Sequence, residues 1–120
     1  MRIVVTSQGE GLDSPADPRF GRARYLVLVD TETGECSSVD NEINLNAPQG
    51  AGIQTGKRVV ELKAQAVITG HTGPKAFSVL DAGGVAIYTG ASGTVRQALE
   101  QFKGGTLQKA QSADVEGHWV

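Results

Sequence analysis

Arg19, Arg22 and Arg24 crowd round a Phe-Gly pair in the stretch Asp17-Pro18-Arg19-Phe20-Gly21-Arg22-Ala23-Arg24-Tyr25. A guanidinium is planar, rigidly forked and weakly hydrated, so it suits a large, diffuse anion better than an ammonium does. If Phe20 is buried, it fixes the loop and gives the Arg19 and Arg22 side chains defined positions. The plainer alternative is that these arginines only solvate the start of a strand, and for Arg24 that is the better reading. A second stretch, Gly70-His71-Thr72-Gly73-Pro74-Lys75, has the look of a strand-to-helix turn that exposes backbone N–H groups. It does not match the phosphate-loop pattern, since its glycine spacing is too short and no Ser or Thr follows Lys75. A glycine-bounded turn with no ligand explains the same residues equally well. His71 is open to three readings there: ligand, acid–base group or solvent-exposed bystander.

Other chemistry is poorly supported. Cys36 is the sole cysteine, so no internal disulfide can form, and the simplest compartment is the cytoplasm. Cys36 also falls at the start of a strand, at the sheet end opposite the arginines. His118 lies in a tail with no readable pattern. A zinc site or a thiolate-held iron–sulfur cluster therefore lacks its ligands. Two-metal nuclease chemistry needs carboxylates grouped on the strands, and the first strand, Arg2 to Ser7, has none. A hydrolase built on Ser7 and His71 lacks an orienting acid. With 11 basic against 13 acidic residues and a net charge of −2, general nucleic-acid wrapping is excluded, leaving only a local basic patch. No apolar run approaches the roughly 20 residues of a membrane span. The N-terminus reads as a strand and not as a signal peptide.

The elements that must position the two stretches follow from periodicity. Ile3 to Thr6, Tyr25 to Val29, Ala66 to Thr69 and Val85 to Tyr88 are short Val- and Ile-rich runs, as expected for strands covered on both faces. Thr33-Gly34 turns the second run into a polar edge strand, Cys36 to Asp40. Helical patterns span about 51–64, 73–82 and 94–103. The second opens on Gly73-Pro74, and the third carries a Thr94/Gln97 capping box and stops at Gly104. Residues 1–104 thus form one domain, and 105–120 a partly ordered C-terminal tail anchored through Leu107.

Right-handed crossovers between neighbouring parallel strands give an α/β domain with a five-stranded mixed sheet in the order 3-2-1-4-5, strand 2 alone antiparallel. Four connections, Gln8 to Ala23, Glu42 to Gly50, Gly70 to Thr72 and Thr89 to Gly93, then meet at one sheet edge. Three helix N-termini point into the same space, at the switch between strands 1 and 4 where open α/β sheets bind ligands. Each N-terminus carries about half a positive charge and unsatisfied N–H groups. The expected site is an anion site.

The segments DPRFGRARYLVLVD, GAGIQTGKRVVELKAQAVITGHTGPKAFSVLDAGGVAIYTG and TVRQALEQFKGGTL together resemble the dinitrogenase iron–molybdenum cofactor biosynthesis and carrier family over nearly the whole chain. That resemblance implies a single-domain, three-layer ribonuclease H-like fold without nuclease activity, hence no enzyme. Nitrogenase-associated members tend to carry His where this chain has Arg19. That histidine is implicated in holding an iron–sulfur-type precursor, so Arg19 counts against carriage of an iron–molybdenum–sulfur cofactor precursor. The likeness is closer to the orange-protein branch found in sulfate-reducing bacteria. It implies a molybdenum–copper sulfide cluster, two thiomolybdate units bridged by copper, held without covalent protein ligands and expected to be absent from recombinant material. The carry-over covers Arg19, Phe20, Gly21, Arg22 and the turn Gly70, His71, Thr72, Gly73, with no residue assigned as a direct metal ligand. Two other classes remain: an adaptor domain acting through a protein partner such as an ATPase, and a small hydrolase or nucleotide-binding enzyme.

Overall fold

The computed structural model describes residues 1–45 and 50–112. Its elements run β1 (Arg2–Ser7), β2 (Tyr25–Asp30), β3 (Cys36–Asp40), α1 (Glu42–Leu45), α2 (Ala51–Glu61), β4 (Ala66–Ile68), α3 (Pro74–Ala82), β5 (Ala86–Thr89), α4 (Val95–Lys103) and β6 (Gln108–Lys109). They form one mixed sheet in the order β3-β2-β1-β4-β5-β6. β1, β4 and β5 are parallel, and β2 runs antiparallel to both β1 and β3.

The order expected from sequence is therefore present, with one correction. The sheet has six strands and not five, because β6 pairs antiparallel with β5 through Tyr88–Lys109 and Thr89–Gln108. Both β6 residues are exposed, so this strand leaves no apolar alternation to read. Leu107, just before it, packs against the core. A second difference is α1, a four-residue helix where an uninterrupted connection was expected. The helix expected over 51–64 ends at Glu61, and Lys63 beyond it takes a left-handed conformation (φ 59°). His118 and the connection residues 46–49 lie outside the described residues.

Strand side chains alternate between two cores, and that alternation explains the continuous apolar runs. On β1, Val4 faces a cluster with Val59 of α2 and Ala76 and Leu80 of α3. Its neighbours Ile3 and Val5 face the other cluster, with Val95, Ala98 and Leu99 of α4. β4 divides likewise, Val67 to the first side and Ala66 and Ile68 to the second. The sheet is thus the middle of three layers. α2 and α3 can approach closely because Gly56 has no side chain: a Cβ there would lie 3.1 Å from Val79 Cγ1. On the opposite layer Tyr88 and Phe102 meet edge to face, with ring centroids 4.8 Å apart.

Phe20 is fully buried within the α2–α3 cluster although it belongs to a connection and not to a strand or helix. Truncating it should therefore behave as a core mutation. Phe20→Ala is expected to lower unfolding free energy by about 3–5 kcal/mol, read from the urea midpoint at unchanged slope. Thr94 caps α4, accepting from the Gln97 N–H at 3.1 Å while Gln97 Oε1 accepts from the Thr94 N–H at 2.9 Å. Thr94→Ala should cost about 1 kcal/mol in the same assay.

Candidate functional site

The parallel pairing of β1 with β4 and β4 with β5 brings the C-terminal ends of all three strands to one edge. Two segments leaving that edge are held together there by backbone hydrogen bonds. The His71 N–H donates to the Pro18 carbonyl at 2.7 Å, and the Phe20 N–H donates to the His71 carbonyl at 3.3 Å. Arg19 and His71 thereby form an isolated parallel bridge. Two glycines make this clamp possible. A Cβ on Gly70 would lie 2.6 Å from the Pro18 Cα and carbonyl oxygen, and one on Gly21 2.8 Å from the Gly52 Cα and nitrogen. Gly21 thus seats the arginine loop on the first turn of α2, while Gly70 seats it on the turn that leads into α3.

The loop is tied to β1 by a buried polar cluster. The Asp17 N–H donates to the Thr6 carbonyl at 2.8 Å. The Thr6 hydroxyl lies 2.7 Å from the Asp17 carbonyl and 2.8 Å from the Thr69 hydroxyl. Thr6, Asp17 and Thr69 are all buried. These residues carry no motif, and sequence reading passed over them. Their one visible signal is polarity at the end of two strands that are otherwise apolar.

The residues singled out from sequence therefore fall in one neighbourhood. Arg19 is exposed, Arg22 and His71 are half-buried, and Phe20, Gly21, Gly70, Thr72 and Gly73 are buried. Arg19 Nε lies 3.7 Å from Asp17 Oδ1, within ion-pair reach but beyond hydrogen-bond length. The His71 N–H is committed to Pro18, so the turn offers one donor fewer than its sequence promises. Arg24 is engaged elsewhere. It pairs with Asp40, reaches Glu42 at 3.5 Å and stacks over the Tyr25 ring at 4.7 Å. The hydrogen bond to Asp40 holds Arg24 above its ordinary value, and the same bond holds the Asp40 carboxyl below its own.

The three helix N-termini expected at this edge are not equivalent. That of α4 is closed by the chain itself: the Val95 N–H donates to Ser14, the Arg96 N–H to Leu12, and Gln97 to Thr94. α2 and α3 start from Gly50 and Gly73, and neither has a side-chain cap. These two adjoin the arginine loop. Cys36 is largely exposed at the start of β3, opposite Val29 and so at the far end of the sheet; partial desolvation pushes its thiol up. Among the described residues, no three or more His, Cys, Asp or Glu gather as a metal-ligand group. The edge accordingly presents cationic side chains and helix dipoles, with no cysteine beside them among the described residues. No helix among the described residues is long and apolar enough to cross a membrane.

This geometry agrees with what the chain is similar to. The family model described as dinitrogenase iron-molybdenum cofactor matches residues 1–105. The apo form of the orange protein from Desulfovibrio gigas is 40% identical and superimposes with a TM-score of 0.91, over 95% of this chain and 96% of that one. A Thermotoga protein solved by NMR is 32% identical, with a TM-score of 0.83 over 97% of this chain and 98% of that one. An uncharacterised Methanocaldococcus jannaschii protein is 27% identical over 95 residues, 77% of this chain and 80% of its own length. By its motifs, its sheet and the extent of these matches, the chain belongs to the dinitrogenase iron-molybdenum cofactor family.

Proposed function

We propose that this protein is a non-enzymatic carrier for an anionic metal–sulfur cluster, specifically a molybdenum–copper sulfide cluster held non-covalently. The observation that carries this reading is the clamp between residues 17–22 and 70–73, which sets Arg19 and Arg22 beside two helix N-termini at an edge remote from the cysteine. Electrostatics then supply the hold. Each helix start contributes about half a positive charge, and each guanidinium a full one, against a polyanion. His71 closes the same edge, while Phe20 and Gly21 keep the loop in register. The similar Desulfovibrio gigas orange protein has an apo form, which fits a ligand able to leave its site. Family membership alone would also suit a carrier of an iron–molybdenum–sulfur precursor. Arg19, a charge where that role calls for a ligating group, favours the first reading.

Binding of this kind must weaken with salt, because exposed charges are screened over about 8–10 Å at physiological ionic strength. Purified protein mixed with tetrathiomolybdate and a copper salt should emerge from gel filtration coloured, and molar salt should strip the colour progressively. The Arg19→Ala/Arg22→Ala double variant should bind at least about a hundredfold more weakly at low salt, as two charge-assisted contacts of about 1.5–3 kcal/mol each require. Full retention by the double variant would contradict the assignment.

A further inference from the structure

Asp17 is a buried carboxylate at an edge otherwise suited to anions, and its presence there calls for a reason. Its side chain is 5% exposed, against 51% for Arg19. A carboxylate so placed subtracts from the positive potential that would attract an anionic ligand, so charge supply is not its use. Its contacts all concern placement. Oδ1 accepts the Arg19 N–H at 2.9 Å and lies 3.7 Å from Arg19 Nε. Its own N–H and carbonyl are both engaged by Thr6 at the end of β1. Pro18 and Phe20, which flank Arg19 in the chain, are both bonded to His71. The backbone of Arg19 is thus pinned from both sides, and Asp17 is the acid facing its side chain.

From this we infer that Asp17 is the positioning residue for Arg19: its carboxylate holds the guanidinium over the β1 end of the edge before any ligand arrives. An unrestrained arginine would lose rotamer entropy on binding, and a side chain already held in place loses less. The charge that Asp17 subtracts is thereby offset by pre-organisation. The inference rests on the proposed site for its consequence in binding, but the placement of Arg19 can be read without any ligand.

The test is a pair of measurements on the full chain. In a ¹H–¹⁵N spectrum, the Arg19 Nε–H of the wild type should be shifted by the neighbouring Asp17 carboxylate. In Asp17→Asn, whose amide oxygen can still accept the Arg19 backbone N–H, it should collapse to the position of a free arginine. The Arg22 Nε–H and the core amides should stay put, a selectivity that general destabilisation would not produce. An unchanged Arg19 Nε–H in that variant overturns the inference, whatever the ligand. In the tetrathiomolybdate–copper assay, Asp17→Asn should cut retention about three- to tenfold, and adding Arg19→Ala to it should cost less than Arg19→Ala costs in the wild type. Independent, multiplicative losses would equally overturn the inference. If wild-type protein retains no colour, the proposed function fails while the spectrum still decides the role of Asp17. If Asp17→Asn does not fold, Arg19→Lys takes its place. It keeps the charge but loses the fork, and its retention should fall towards that of Arg19→Ala, whereas wild-type retention would overturn the inference.

Discussion

The site depends on a connection being packed as though it were core. Phe20 is fully buried among residues of β1, β4, α2 and α3, yet it comes from the longest connection at the ligand edge. Burying a phenylalanine is worth roughly 1.5–3 kcal/mol of transfer free energy, about what it costs to order one or two residues of backbone. Once that ring is fixed, its neighbours have little freedom. Gly21 meets the backbone of α2, Pro18 meets Gly70, and the two hydrogen bonds with His71 join the loop to the turn before α3. This packing sets the backbone from which Arg19 and Arg22 project.

The electrostatic character of the edge follows from which groups have been spent. Loop carbonyls from Leu12 and Ser14 close the start of α4, and Arg24 is engaged by Asp40, Glu42 and Tyr25. Near the clamp lie Arg19, Arg22 and the starts of α2 and α3, neither of which has a side-chain cap. The thiol of Cys36 is at the other end of the sheet. Among the described residues, a ligand that needs soft covalent donors finds none beside these groups, whereas a diffuse polyanion would find several weak attractions converging. Under the proposed function, such a site would bind by summed charge and shape, which suits cargo that must be both held and released.

Much of this was legible in the sequence, for physical reasons that differ from residue to residue. The strand runs of β1, β2, β4 and β5 are buried on both faces, so they read as continuous apolar segments, and their crossovers fix the order of five strands. The Thr94/Gln97 cap and the proline at the start of α3 are local signals that tertiary packing does not override. Arg24 was separable from its neighbours because it borders a strand, and the structure pairs it with acids there. β6 escaped notice because two exposed polar residues have no period. α1 is a single turn and too short to show one. The closure of α4 depends on carbonyls from Leu12 and Ser14, which are distant in sequence and carry no side-chain signature. Asp17 was hidden for a related reason: next to a proline in a loop it looks like an ordinary turn residue, and only the fold shows it buried under Arg19.

The central claim is that this edge holds a molybdenum–copper sulfide cluster by charge. Its most direct test is the visible spectrum and metal content of the protein purified at low salt from the organism that makes it. The account predicts coloured protein containing both molybdenum and copper, with the colour lost together with both metals when salt is raised. Colourless, metal-free protein from that source would contradict it.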